Sequence, residues 1–236
     1  MTEVRFLSLA EAEPDEAVVV IDVLRAFTVQ PWLFARGAAR ILAVADADHA
    51  VALREKELPE ALLAGEEGGR QLEGFELGNS PTQVRSAQVE GRTIIHRTSA
   101  GTQGLARTAG SGLVLAGAFV TARATAAALR TATPQRVSFI ITGASQGRDG
   151  DEDLAAAELI AARLRGEDPD PADFTARVAT SDAGRNFVEG GPAWAPPSDL
   201  ASAIEVDRFA HALRAVAAVD VDAIEMTRHG TPADAV

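Results

Sequence analysis

The 236-residue sequence contains no cysteine. Disulfides, thiolate zinc sites and thiol nucleophiles are therefore excluded whatever the fold. Aromatic residues make up only 5%, against 47% hydrophobic residues in which Ala and Val are prominent, so small and aliphatic side chains must fill the core. Basic residues are also scarce. The 22 Lys and Arg face 34 Asp and Glu, a formal net charge of −12. Such a body repels nucleic acid and anionic membrane surfaces, and no basic stripe interleaved with aromatics offsets it. No apolar run approaches the roughly 20 residues that a membrane span needs. The opening MTEVRFLSLAEAEPDEA has neither the basic start nor the apolar core of a secretion signal. These absences lead us to expect a cytoplasmic protein without nucleic-acid or membrane partners. P-loop and GxGxxG signatures are missing too. The four histidines show no ligand spacing; His96, just before a polar loop, is the one placed to donate a proton.

What is present is an alternation. Apolar runs at 4–7, 17–22, 40–44, 61–65, 92–97, 112–117 and 136–142 read as strands. Helical patterns lie between several of them: RAFTVQPWLFARG, DADHAVALREKEL, AGTQGLARTA and AFVTARATAAALRTA. Continuous Val/Ile/Leu strands separated by helices predict a three-layer α/β/α fold with a mainly parallel or mixed sheet. Pro31 is expected in an early helical turn or at a kink. In the last third, DEDLAAAELIAARLRG is a strong helix with acidic residues at its start. A Pro-, Gly- and Asp-rich stretch follows, then a further helix over VDRFAHALRAV and an edge strand at DAIEM. We read residues 1–236 as one domain, with a candidate seam at 143–150. An Ala-rich helical surface leaves a homodimer open.

Ligands of open parallel sheets collect at the carboxyl ends of the strands. Four such ends carry polar, glycine-rich or acidic residues, of two chemical types. TSAGTQG (98–104) opens a helix with Thr98, Ser99 and Thr102, so its hydroxyls and backbone N–H groups suit an anion; an ordinary helix cap gives the same pattern. Arg25 and Arg148 could add guanidinium groups, although each taken singly also reads as a surface ion pair. The second type suits a hard cation. Asp22, Glu66, Glu76 and the run Asp149, Asp151, Glu152, Asp153 offer oxygen ligands, which favour Mg²⁺ or Mn²⁺ over zinc. The acidic run is also the usual complement of a helix N-terminus, whereas Asp22, closing an AVVVI strand, must find a partner or a metal. Asp46 and Asp48 resemble a dehalogenase-type DxD start but read as a strand end and a helix cap.

The most unusual stretch is GEEGGRQLEGFELGNSP (65–81), with five glycines and four glutamates. Taken with IDVLRAFT (21–28), GRTIIHRTSAGTQG (91–104) and GASQGRDGDED (143–153), it resembles the 2-phosphosulfolactate phosphatase family, the ComB-like proteins of coenzyme M biosynthesis, over roughly residues 17–165. The resemblance implies a ComB-like α/β enzyme that uses Mg²⁺ to hydrolyse a phosphomonoester whose substrate also carries a sulfonate. Asp22 and Arg25 match its DVLRA, and Arg148, Glu152 and Asp153 match its GR…ED segment. Glu66, Glu76, Asn79 and Ser80 match its GE…GFDLGNSP, and Thr98, Gly101 and Thr102 its TTNGT-like turn. The implied roles are catalysis for Asp22, Arg25 and Arg148, and substrate binding for Asn79, Ser80, Thr98, Ser99, Gly101 and Thr102. Metal binding falls to Asp22, Glu66, Glu76, Glu152 and Asp153. Four positions depart from the family pattern: Phe27 replaces a small residue, Glu76 an Asp and Ala100 an Asn, while Arg97 adds a charge. These departures touch the anion contacts, and a phosphometabolite-binding paralogue without turnover is the alternative reading.

Overall fold

The computed structural model describes residues 2–145 and 147–230. Strands β1 (Glu3–Ser8) and β2 (Ala17–Ile21) lead to helix α1 (Ala26–Ala35), then β3 (Arg40–Val44) and α2 (Ala47–Lys56). The chain continues through β4 (Leu62–Glu67), the two-residue β5 (Arg70–Gln71) and α3 (Pro81–Ser86). Next come β6 (Thr93–Arg97), α4 (Gly101–Thr108), β7 (Leu113–Gly117), α5 (Ala122–Ala132) and β8 (Arg136–Ile141). The last third holds α6 (Asp151–Leu164), α7 (Ala172–Thr175), α8 (Pro197–Ala203), β9 (Ala212–Ala217) and β10 (Ile224–His229). All seven expected strands are present.

The ten strands form a sheet of order β1-β8-β2-β7-β9-β10-β3-β6-β4-β5. Two parallel blocks, β1-β8-β2-β7 and β3-β6-β4, are joined by the antiparallel hairpin β9–β10. With helices on both sides the architecture is three-layered, and all five residues of β2 are buried, as a parallel strand covered on both faces requires. Cluster residues Phe27, Phe119 and Phe139 are fully buried among small aliphatic side chains, so few aromatics suffice. The stretch 143–150 is the connection from β8 to α6, and strands from both sides of it share the sheet.

Two expectations need correction. VDRFAHALRAV forms no helix; its second half is β9, and DAIEM lies in β10, inside the sheet rather than at its edge. The spacing of Phe209, Ala212, Leu213 and Val216 imitates a helical face. Tertiary context overrides it, because the gap between β7 and β3 offers backbone partners on both sides. Pro31 sits buried inside α1 rather than in its first turn. Asp46 is the expected cap, its carboxylate accepting the His49 N–H at 3.0 Å.

Candidate functional site

A cleft of about 310 Å³ opens at the carboxyl ends of β2, β4 and β6, beside the loop that follows β8. Its polar wall comes from Asp22, Arg25, Glu66, Asn79, Ser99 and Arg148, and its aromatic wall from Phe187 and Trp194. Asp22, Glu66 and Ser99 meet here because parallel crossovers return the ends of β2, β4 and β6 to the same edge.

Asp22 ends β2 and is 6% exposed. One carboxylate oxygen, Oδ1, accepts the Ala26 N–H at 3.0 Å; Oδ2 has no hydrogen-bond partner among the described residues. Burial first, and then the nearby charges of Glu66 and Glu152, push its pKa from the ordinary 3.8 up to about 6, against the opposing Ala26 hydrogen bond and Arg148. Gly101 allows this placement: a Cβ there would lie 2.7 Å from Asp22 Oδ2 and 2.9 Å from the Ala26 methyl. Behind Asp22, Asp153 has its oxygens filled by the Val23 N–H at 2.8 Å, the Gly143 N–H at 2.7 Å and the Thr142 hydroxyl at 3.2 Å. It ties the ends of β2 and β8 together. Glu152 is buried beside it, and its Oε2 has no partner among the described residues. Burial raises the pKa of both groups.

The glycine- and glutamate-rich loop folds back on β4, with Gly65 N–H donating to Leu77 O at 2.9 Å and Leu77 N–H to Leu63 O at 3.1 Å. One of its four glutamates reaches the cleft. Glu66 accepts the Ser99 N–H at 2.6 Å and the Gly69 N–H at 2.7 Å, stitching the loop to the start of α4. Glu76, expected to bind metal, instead takes Arg54 at 2.9 Å and the Leu63 N–H at 2.8 Å, outside the cleft. Alternation along the returning chain turns it away from Glu66. Arg97 props the same loop through Glu66 O at 2.8 Å.

The remaining expected residues divide. Asn79 and Ser99 line the cleft. Thr98 and Thr102 do not: their hydroxyls satisfy each other's backbone N–H groups at 3.2 and 3.0 Å, which is the capping alternative. Ser80 caps α3 and donates to Asp199 Oδ1 at 2.8 Å. His96 is fully buried, with its pKa lowered to about 4 by burial, so it stays neutral and is no proton donor. Arg25 is 3% exposed and spends three of its five N–H donors on the protein: Nη1 donates to Asp199 and to Trp194 O, each at 2.7 Å, and Nη2 to Gly69 O at 2.9 Å. Its guanidinium lies 5.1 Å from the Phe187 ring centroid and 5.8 Å from that of Trp194. Arg25 therefore clamps the C-terminal third onto the glycine loop. Arg148 is exposed at the cleft, and among the described residues its side chain hydrogen-bonds only to Ser145, at 3.3 and 3.4 Å.

Sequence reasoning missed Phe187, Trp194 and Asp199. Asp199 is fully buried and takes Arg25, Ser80 and the Thr82 N–H. The available signal was a tryptophan in the proline-rich PAWAPPSDL, an aromatic placed where a solvated turn has no use for one. Trp194 packs on Gly69, whose positive φ of 84° and lack of a Cβ let the ring approach.

Fold and cleft together define an open-sheet α/β protein with a polar cleft of small-molecule size at its strand ends. The family described as 2-phosphosulpholactate phosphatase matches residues 6–189, and the chain belongs to that family. A relative from Deinococcus radiodurans named probable 2-phosphosulfolactate phosphatase is 36% identical over 172 residues, 72% of this chain and 71% of that protein. Relatives with the same name come from Parasynechococcus marenigrum (40% identity over 157 residues, 66% of this chain, 64% of the relative) and Bacillus subtilis (34% over 154 residues, 65% and 66%). The chain thus spans less than two thirds of the length of some relatives that it matches. No helix among the described residues is long and apolar enough to cross a membrane.

Proposed function

We propose that this protein is a Mg²⁺-dependent phosphatase that hydrolyses a small phosphorylated acid, 2-phosphosulfolactate to sulfolactate and inorganic phosphate. The observation that carries the reading is Asp22: a buried carboxylate with one unengaged oxygen in the cleft that also holds the loosely tied guanidinium of Arg148. Phosphomonoester hydrolysis is extremely slow without a catalyst, so positioning and charge compensation must supply a large barrier reduction. Arg148 would pair with the phosphoryl oxygens, and Asn79 would donate to the anion. Asp22 would take the proton of the attacking water, a task suited to a carboxylate whose pKa burial has raised to about 6. Water adds to phosphorus, the P–O bond to the carbon skeleton breaks, and the leaving alkoxide takes up a proton.

The donor set fits Mg²⁺. Among the described residues no three Asp, Glu or His side chains converge into a complete cage, but Mg²⁺ is commonly held by one or two carboxylates, with water and substrate oxygens filling the rest. The unpartnered Glu152 and the cleft-lining Glu66 are the residues that would hold it, which leaves the free oxygen of Asp22 to the attacking water. When bound, the ion would supply Lewis-acid polarisation of the phosphoryl oxygens. Glu76 is not proposed as a ligand.

The test is phosphate release from phosphosulfolactate, phospholactate and related acids, with Mg²⁺ and with EDTA. We expect turnover with Mg²⁺ that EDTA abolishes. Thermal stabilisation by these acids without phosphate release would favour the non-hydrolysing paralogue, to which Phe27 and the Ala at position 100 lend support.

A further inference from the structure

A buried relay lies behind the cleft. Gln30 of α1 and His96 of β6 are both fully buried, and Asn79 is 4% exposed. Gln30 Nε2 lies 3.1 Å from His96 Nδ1, and His96 Nε2 lies 3.2 Å from Asn79 Oδ1. An amide N–H₂ can only donate, so Nδ1 must be the bare, accepting nitrogen and the ring proton must sit on Nε2. That N–H then engages the carbonyl oxygen of Asn79. The amide nitrogen of Asn79, which has no partner among the described residues, is left to the cleft that this residue lines.

We infer that Gln30 and His96 are positioning residues that fix Asn79 with its N–H₂ group toward the cleft, making it a donor to an anionic oxygen of the ligand. This rests on the reading of the cleft as an anion site. The opposite polarity is chemically conceivable, with Nδ1 protonated and both amides turned. It would strand both Gln30 N–H bonds, where the present arrangement strands one of them and Oε1, and unsatisfied buried donors are the rarer defect. It would also aim the Asn79 oxygen at a cleft already lined by the carboxylates of Asp22 and Glu66. The relay crosses from α1 through β6 to the loop before α3, so it sets the polarity of a site residue from two elements that never touch the ligand.

The ring proton can be observed directly. Long-range ¹H–¹⁵N spectra of the full chain should show His96 as the Nε2–H tautomer, unchanged between about pH 5.5 and 8; an Nδ1–H tautomer overturns the inference and would make Asn79 a cation ligand instead. The near-isosteric Gln30→Glu replaces the donor at Nδ1 with an acceptor. Inorganic phosphate affinity, measured by calorimetry on the same samples, should follow the Nε2 proton. If the neutral ring moves its proton to Nδ1, affinity should fall about tenfold, the scale of one charge-assisted hydrogen bond. If the ring takes a second proton and keeps Nε2–H, affinity should hold. Loss of affinity with Nε2–H retained, or no loss without it, also overturns the inference. Failure of the unaltered protein to bind phosphate would overturn the anion reading on its own, and the tautomer would still decide the relay.

Discussion

The end of β2 and the start of α6 each place a buried aspartate in the same acidic cluster, and the two are wired in opposite ways. Asp153 receives two backbone N–H groups and a hydroxyl, so its oxygens are spent on holding two strand ends together. Asp22 receives one N–H and keeps an oxygen for the cleft. The two arginines repeat the contrast. Arg25 donates to three different segments, and among the described residues the Arg148 side chain hydrogen-bonds only to Ser145. Burial alone does not separate a structural charge from a chemical one, since Asp22 and Asp153 are 6% and 2% exposed. What separates them is how many protein donors each carboxylate already satisfies.

Exchanging the two aspartates breaks this comparison most sharply. Asp22→Asn should lower phosphate release by roughly 10²- to 10⁴-fold, the usual contribution of a positioned base, while folding is retained. Asp153→Ala should instead act on stability. It strands the buried N–H groups of Val23 and Gly143, and a loss of about 3 kcal/mol in denaturant unfolding is expected. Equal catalytic loss in both variants, with unfolding unchanged, would erase the distinction.

The next effect is steric. Gly101→Ala would press a methyl against Asp22 Oδ2 and Ala26. We expect turnover to fall at least about tenfold, because misplacing a reacting group by a fraction of an ångström is costly, with far-ultraviolet circular dichroism unchanged. Wild-type turnover in this variant would show that Asp22 has room to move and is not held in place for chemistry.

The strand ends were legible because hydrophobic continuity, period and flanking glycine are local signals. Asp22 was legible for the same reason: a carboxylate closing a fully apolar strand has few places to go. The wiring was not. Arg25 looked like a free guanidinium, since its partners Trp194 and Asp199 lie about 170 residues further on, in a stretch whose Pro, Gly and Asp content resembles a solvated turn. Thr98 and Thr102 matched both an anion loop and a helix cap, and only their mutual hydrogen bonds decide. Glu76 shows the limit of pattern matching, for its motif held while its side chain turned to Arg54. The β9 segment misled because alanines and an apolar i, i+3, i+4 spacing suit a helix until neighbouring strands claim the backbone.

The smallest expected effect sharpens the comparison through pH. The folded pKa of Asp22 is raised to about 6 from the ordinary 3.8, so the native state binds this proton more tightly than the unfolded chain does. Stability from this group is therefore present at low pH, falls as pH rises from about 4 to about 6, and is flat above that. Asn at position 22 carries no charge at any of these values. In EDTA, the melting temperature of Asp22→Asn relative to the unaltered protein should climb across that window and then level off. Asp153 moves in the same direction, because loss of the Asp22 charge removes one of the repulsions that raise its pKa. A difference that stays constant from about pH 4 to 7 would mean that Asp22 is charged without penalty. The cleft would then already satisfy the oxygen left free by the Ala26 N–H, and Asp22 would have none to spare for an attacking water.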